Sequence, residues 1–107
     1  MAVAKQYKYL YIQKMKKNRF ESVWDAIEDT PQQAASMRAR SHLMVELTEL
    51  IRREGWTQKV AAERFGVTQP RISDLMRGKV DLFSLDTLID MATVAGLSPK
   101  IMIRKAA

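Results

Sequence analysis

The chain contains no cysteine, which excludes a disulfide framework and any thiolate metal site and leaves nothing that speaks for an oxidising compartment. Histidine is almost missing as well: His42 stands alone, with no cysteine or second histidine to share a metal ion. Long apolar runs are also lacking. The longest stretch free of Asp, Glu, Lys and Arg is Met91 to Pro99, far short of the roughly 20 residues that span a bilayer. Lys5 and Lys8 break what would be the apolar region of a signal peptide, and no small-residue cleavage site follows. The expected location is the cytoplasm, with no membrane partner. No Gly-rich phosphate loop is present among the 4 glycines.

What is there is 107 residues, enough for one domain that buries about two-thirds of the surface its unfolded chain exposes. The 18 Lys and Arg against 12 Asp and Glu are unevenly spread. Residues 1–20 hold Lys5, Lys8, Lys14, Lys16, Lys17 and Arg19 and no acid, so residues 21–107 are neutral and the whole excess sits on a basic N-terminal arm. Such an arm suits a polyanion, either nucleic acid or an anionic membrane surface, though short basic tails also serve solubility alone. Tyr7, Tyr9 and Tyr11 alternate within it, the pattern of a weak strand or of a disordered arm.

From residue 21 the pattern is helical. Ser22 with Asp25 three residues on is a helix start, and Val23, Trp24 and Ile27 share one face of a short helix to about Asp29. Thr30-Pro31-Gln32-Gln33 is a stronger start, with Thr30 as N-cap, Pro31 in the first helical position and Gln33 as capping-box partner. A long helix follows to Glu54, with Leu43, Leu47, Leu50 and Ile51 repeating at three and four beside Met37 and Met44, and Gly55 ends it. Thr57 caps a helix to near Phe65, Gly66 turns the chain, and Thr68 caps another to about Arg77, stopped by Gly78. Ser84 caps a helix to Ala95 that buries Leu85, Leu88, Ile89 and Met91 or Ala92 and is closed by Gly96. Lys100 to Arg104 alternates weakly, the pattern of a short C-terminal strand on a dimer or partner edge. The seven methionines read as adaptable core filler.

The stretch Thr57 to Lys79 carries the functional signal. Two short helices joined by a turn containing Gly form a helix-turn-helix, and the steric demands of that packing are met. Ala62 is small where the helices cross, Gly66 supplies the turn, and Val67, Ile72 and Leu75 face Ala61 and Phe65. The rest of the second helix is polar: Thr68, Gln69, Arg71, Ser73, Asp74 and Arg77. The DNA major groove admits such a helix, and its base edges suit these side chains, Gln69 to adenine, Arg71 or Arg77 to guanine, the Thr68 methyl to thymine. Gln58 is placed to meet a phosphate with nearby backbone N–H groups at a helix start. Lys59 is a second phosphate candidate, and for Arg64 and Lys79 phosphate contact and plain solvation stand level. Five basic residues against Glu63 and Asp74 make this segment +3 within a neutral body.

Residues 57–79 resemble the helix-turn-helix of phage-repressor-like regulators, the XRE family, through Gln58, Ala62, Gly66, Ile72 and Leu75. The wider stretch from Phe20 to Ile103 is similar to the small XRE antitoxins of HigA-like toxin–antitoxin pairs. Ser22 to Ala26, Trp56-Thr57-Gln58, Gln69 to Leu75 and Phe83 to Asp86 carry that likeness. The resemblance implies a homodimer on a palindromic operator, usually its own promoter, and a toxin, commonly an RNA-cleaving one, neutralised by complex formation. It implies that Gln58 contacts phosphate and that Thr68, Gln69, Arg71, Ser73, Asp74 and Arg77 face the operator. Pro70 departs from the pattern, standing where phage repressors often carry a base-reading side chain; a first-turn proline costs the helix little but moves reading to Gln69, Arg71 and Ser73. Asp74 repels phosphate, and either accepts from a cytosine amine or pairs with Arg71 or Arg77.

The expectation is therefore an all-α fold of about five helices around a central helix-turn-helix, residues 21–107, preceded by the arm. It would act as a DNA-binding transcriptional repressor, as an antitoxin or a stand-alone regulator, without cofactor or metal. The dimer interface is expected in the last helix and residues 96–103, through Leu97, Ile101 and Ile103. An alternative is a protein-interaction module that uses the helices as scaffold and Trp24, Tyr7, Tyr9 and Tyr11 as anchors. Catalysis is not expected. His42 and Ser41 are adjacent on one helix and do not face each other, and Glu46/Glu49 and Asp86/Asp90 have the spacing of solvated faces.

Overall fold

Thr30, extended at φ −131°, opens the described part of the chain by accepting the Gln33 N–H on its hydroxyl at 3.1 Å. The structure is a computed structural model that describes residues 30–105. The basic arm and the short helix expected from Ser22 to Asp29 lie outside those residues. From Thr30 a helix, α1, runs Pro31–Glu54, and α2 (Gln58–Phe65), α3 (Gln69–Met76) and α4 (Leu85–Val94) follow. A single 3-10 turn, Val80–Leu82, separates α3 from α4. Each α-helix starts on a Thr or Ser whose hydroxyl accepts an N–H three residues on: Thr30, Thr57, Thr68 and Ser84. That pairing satisfies one of the donors a helix start leaves open.

The helices also end alike. After α1 the Gly55 N–H bonds to the Arg52 carbonyl and the Trp56 N–H to that of Ile51. The same pair of bonds closes α2 at Gly66 and Val67, α3 at Gly78 and Lys79, and α4 at Gly96 and Leu97. This double closure needs a left-handed residue at its corner, and all four glycines have φ between 68° and 88°. The residue after the glycine often packs back on the helix, and Trp56 and Val67 do lie against the core.

The core is continuous. Met44, Leu47 and Ile51 of α1, Ala61, Ala62 and Phe65 of α2, Ile72 and Leu75 of α3, Val80, Phe83, and Leu88, Met91 and Ala92 of α4 form one buried cluster. α2 packs on α3, and α4 lies across α1 and α2. The α4 expectation is partly corrected: Leu88, Met91 and Ala92 are buried, while Leu85 and Ile89 are only half-buried. They line an open groove of about 680 Å³ with Leu43 of α1 and with Leu97 and Ile101 beyond α4. The expected terminal strand is also corrected. Residues 97–105 form no strand, and Ile101, Met102 and Ile103 are exposed, because no edge is available to them among the described residues. No helix among these residues is long and apolar enough to cross a membrane.

Gly66 is doubly constrained, since a Cβ built there would lie 3.2 Å from Val94 Cγ1, whereas at Gly55 nothing lies within 4 Å. A non-glycine residue in the left-handed region costs about 1–2 kcal/mol. In urea unfolding Gly55→Ala is expected to lose about that much and Gly66→Ala more, with Val94→Ala in the Gly66→Ala background closing the gap. Equal losses for the two glycine variants would refute crowding against Val94.

Candidate nucleic-acid interface

An eight-residue helix such as α3 is too short to hold itself together in water, so its orientation is set by what it buries. Ile72 and Leu75 are buried, and Met76 packs against the same cluster. At 3.6 residues per turn, the side opposite that stripe is centred on Pro70, Ser73, Asp74 and Arg77, with Gln69 on one flank and Arg71 on the other. Exposure does not simply follow that order, since the central Ser73 and Asp74 are less open than the flanking Gln69. Gln69, Pro70 and Arg77 are exposed, Ser73, Asp74 and Arg71 half-buried.

The expected reading residues therefore divide. Thr68 is exposed, but its hydroxyl is engaged as the N-cap, accepting the Arg71 N–H at 3.4 Å, which leaves its methyl as the free part. Asp74 has a partner, and it is neither Arg71 nor Arg77: its carboxylate stands 3.5 Å from Lys79 Nζ, and its carbonyl accepts the Lys79 N–H at 3.1 Å. The helix-ending turn at Gly78 brings Lys79 back over the last turn, so the pairing follows from the backbone closure. Arg71 turns to the body, with its guanidinium carbon 4.6 Å from the centre of the Phe83 ring. Only Arg77, Ser73 and Gln69 are left as reading side chains without such engagement.

Beside this face, α2 presents its start. Gln58 and Lys59 are exposed in its first turn, where backbone N–H groups and the helix dipole favour an anion. Arg64, at the other end of α2, lies over the Trp56 ring at 5.5 Å, and Trp56 meets Phe65 edge to face at 5.9 Å. Arg52 and Arg53 occupy the last turn of α1. His42 and Ser41 part company as their adjacency requires. Ser41 is buried with its hydroxyl unpartnered, and His42 lines the groove between α1 and α4. Among the described residues no group of three or more His, Cys, Asp or Glu is placed to hold a metal ion.

Sequence reasoning missed the segment between α3 and α4. Val80 and Phe83 are each 1 % exposed, Phe83 receives Arg71 on its ring, and the Phe83 carbonyl accepts from Arg40 Nη1 at 3.3 Å. A Val-x-x-Phe spacing after a glycine is the signal that was available.

Two helices packed through small residues across a glycine turn, the second with an open polar face, define a helix-turn-helix protein of the DNA-binding kind. The comparison with known families agrees: the model described as a helix-turn-helix domain matches residues 26–104, and the chain belongs to that family. A comparison with curated proteins finds no match.

The cap and the reading residues are separable. Thr68→Ala is expected to lower stability by about 1 kcal/mol by leaving an N–H of α3 open, while Gln69→Ala should stay within about 0.5 kcal/mol of the parent. Thermal unfolding of the two variants checks this, and the reverse order would remove Thr68 from its capping role.

Proposed function

We propose that this protein is a sequence-specific transcriptional repressor that binds its operator as a homodimer in the cytoplasm. The observation that carries the reading is the polar side of α3, open at Gln69 and Arg77 with Ser73 half-buried between them, while Ile72 and Leu75 anchor it from behind. Gln69 reads a base edge, with Ser73, Arg77 and Arg71 beside it. Gln58 and Lys59 hold phosphates and fix register, the role that backbone contacts play in DNA complexes. Thr68 offers its methyl to a thymine. Asp74 keeps Lys79 near the groove and repels phosphates that approach out of register.

The second copy docks through the groove between α1 and α4 and the apolar segment beyond it. Leu97, Ile101 and Ile103 are exposed at 39 %, 69 % and 95 %, a cost in water that a partner removes. Two copies would set their α3 helices about 34 Å apart, one turn of B-DNA. The finer reading is an antitoxin that represses its own operon and neutralises a partner toxin. Its support is the likeness to HigA-like antitoxins over Phe20 to Ile103, including Ser22 to Ala26. Co-expression with the neighbouring reading frame, followed by co-purification and a growth-rescue assay, decides between that and a stand-alone regulator.

In titrations against operator and random duplexes, Gln69→Ala is expected to cost about 1–3 kcal/mol of discrimination at one base pair, whereas Lys59→Ala weakens all sequences alike and flattens the salt dependence. Equal loss on both duplexes for Gln69→Ala would remove its reading role. For the dimer, Ile101→Glu with Ile103→Glu should yield monomers in sedimentation and reduce operator affinity at least tenfold, about the 1.4 kcal/mol that a factor of ten represents. A variant that stays dimeric would move the interface elsewhere.

A further inference from the structure

Two arginines converge on Phe83 from opposite elements, and they are used differently. Arg40, on α1, spends its guanidinium on the protein's own acceptors: Nε donates to the Ser36 carbonyl, Nη2 to the Ser36 hydroxyl and Nη1 to the Phe83 carbonyl. It fixes the backbone of Phe83. Arg71, on the flank of α3, lies over the Phe83 ring at 4.6 Å, and no side-chain hydrogen bond to the described residues engages its guanidinium. A half-buried arginine normally finds acceptors for its donors, because burying them unpaired is costly. Here the guanidinium carbon rests over the ring and the N–H donors meet no acceptor among the described residues.

We propose that Phe83 is a positioning residue for DNA reading: its ring holds the Arg71 guanidinium flat at the edge of α3, with the donor edge turned to a guanine. The proposal rests on the DNA-binding reading given above. Stacking on an aromatic face leaves all five donors in the guanidinium plane, and a guanine offers two acceptors, O6 and N7, in the major groove to such a fork. A free arginine loses the freedom of a long side chain when it binds. One already resting on a buried ring has lost most of it during folding, so its contact survives with less entropic loss. Phe83 is 1 % exposed and anchored in the core beside Val80, so the platform itself does not move. Specificity at one base pair is thereby set in part by a residue outside the helix-turn-helix, held by an arginine of α1.

The test is a double-mutant cycle on the full chain. The parent, Phe83→Leu, Arg71→Ala and the double variant are titrated against a duplex selected from a random library by the parent protein, and against an unselected duplex. Phe83→Leu keeps an apolar core residue and removes the ring face. It is expected to lower the ratio of selected to unselected affinity between roughly twofold and thirtyfold, the range of a cation–π contact, in the Arg71 background and to leave it unchanged in the Arg71→Ala background. Equal loss in both backgrounds would overturn the proposal, since a merely loosened core acts whether or not Arg71 is present. A second measurement needs no variant. In NMR spectra of the parent, the Arg71 δ-methylene protons should be shifted upfield by the ring, both free and bound to the selected duplex. Disappearance of that shift on binding would show that Arg71 leaves the ring to read, and the proposal fails. If the parent selects no sequence, the DNA reading falls and this proposal with it, whereas selection with an additive cycle removes this proposal alone.

Discussion

The burial of Ile72 and Leu75 against Ala61, Ala62 and Phe65 is the contact on which the other features depend. α3 spans eight residues, about 12 Å at 1.5 Å per residue, and a peptide of that length is not helical in water. Two apolar side chains, a Thr68 cap and a Gly78 closure hold it in place, and none of these occupies the opposite side. The alanines matter for their size. Any larger side chain at the crossing would push α3 off its neighbour, and the buried stripe would lose its contacts before the polar face lost anything. The domain is thus arranged so that a small internal contact area keeps a polar surface in a fixed orientation.

Features governed by local chemistry were legible in the residues. Thr30, Thr57, Thr68 and Ser84 as caps, Gly55, Gly78 and Gly96 as stops and Gly66 as the turn act over three to six residues, and every one of them holds in the structure. The long helix from Pro31 to Glu54 and the core stripe of α1 followed from periodicity for the same reason. What escaped reading was non-local. Arg71 appeared among six equivalent polar residues, because only the position of Phe83 twelve residues later tells which flank it occupies. Asp74 was offered Arg71 or Arg77 by helical spacing, and found Lys79 because the closure at Gly78 reverses the chain. Leu85 and Ile89 fit a buried stripe by spacing, yet among the described residues α4 is covered mainly where α1 and α2 reach it.

The charges on and around α3 pull in different directions. On the side of α3 proposed to read DNA, a carboxylate opposes the phosphate attraction that supplies most non-specific affinity. Its ion pair with Lys79, between side chains 25 % and 40 % exposed, is of the surface type that adds little to stability. On the proposed reading the pair acts through binding: it cancels one positive charge locally and leaves Arg77 as the exposed cation of the helix. Contacts that depend on hydrogen-bond matching then weigh more against contacts that depend on charge alone. On the proposed reading Arg71, whose guanidinium lies over the Phe83 ring, works in the same direction, since a guanidinium held against a ring is a poorer general phosphate binder than a mobile one.

A single α3 is too short for the task assigned to it. Its 12 Å spans three or four base pairs at 3.4 Å each, and a match of that length recurs by chance about once in 64 to 256 positions. Against a genome of competing sites, such a reader would be diluted. Joining two readers in a fixed geometry squares the improbability of a chance match and doubles the phosphate contacts. In the proposed homodimer the requirement falls on a part of the molecule away from α3: a surface that pairs copies rigidly. The exposed Leu97, Ile101, Met102 and Ile103 beside an apolar groove are the region whose chemistry meets it, because their transfer from water drives association without charge and so without the salt sensitivity of the DNA contacts. On this account salt weakens operator binding while leaving the dimer intact, and the two halves of the function reside on separate faces of one small helical domain.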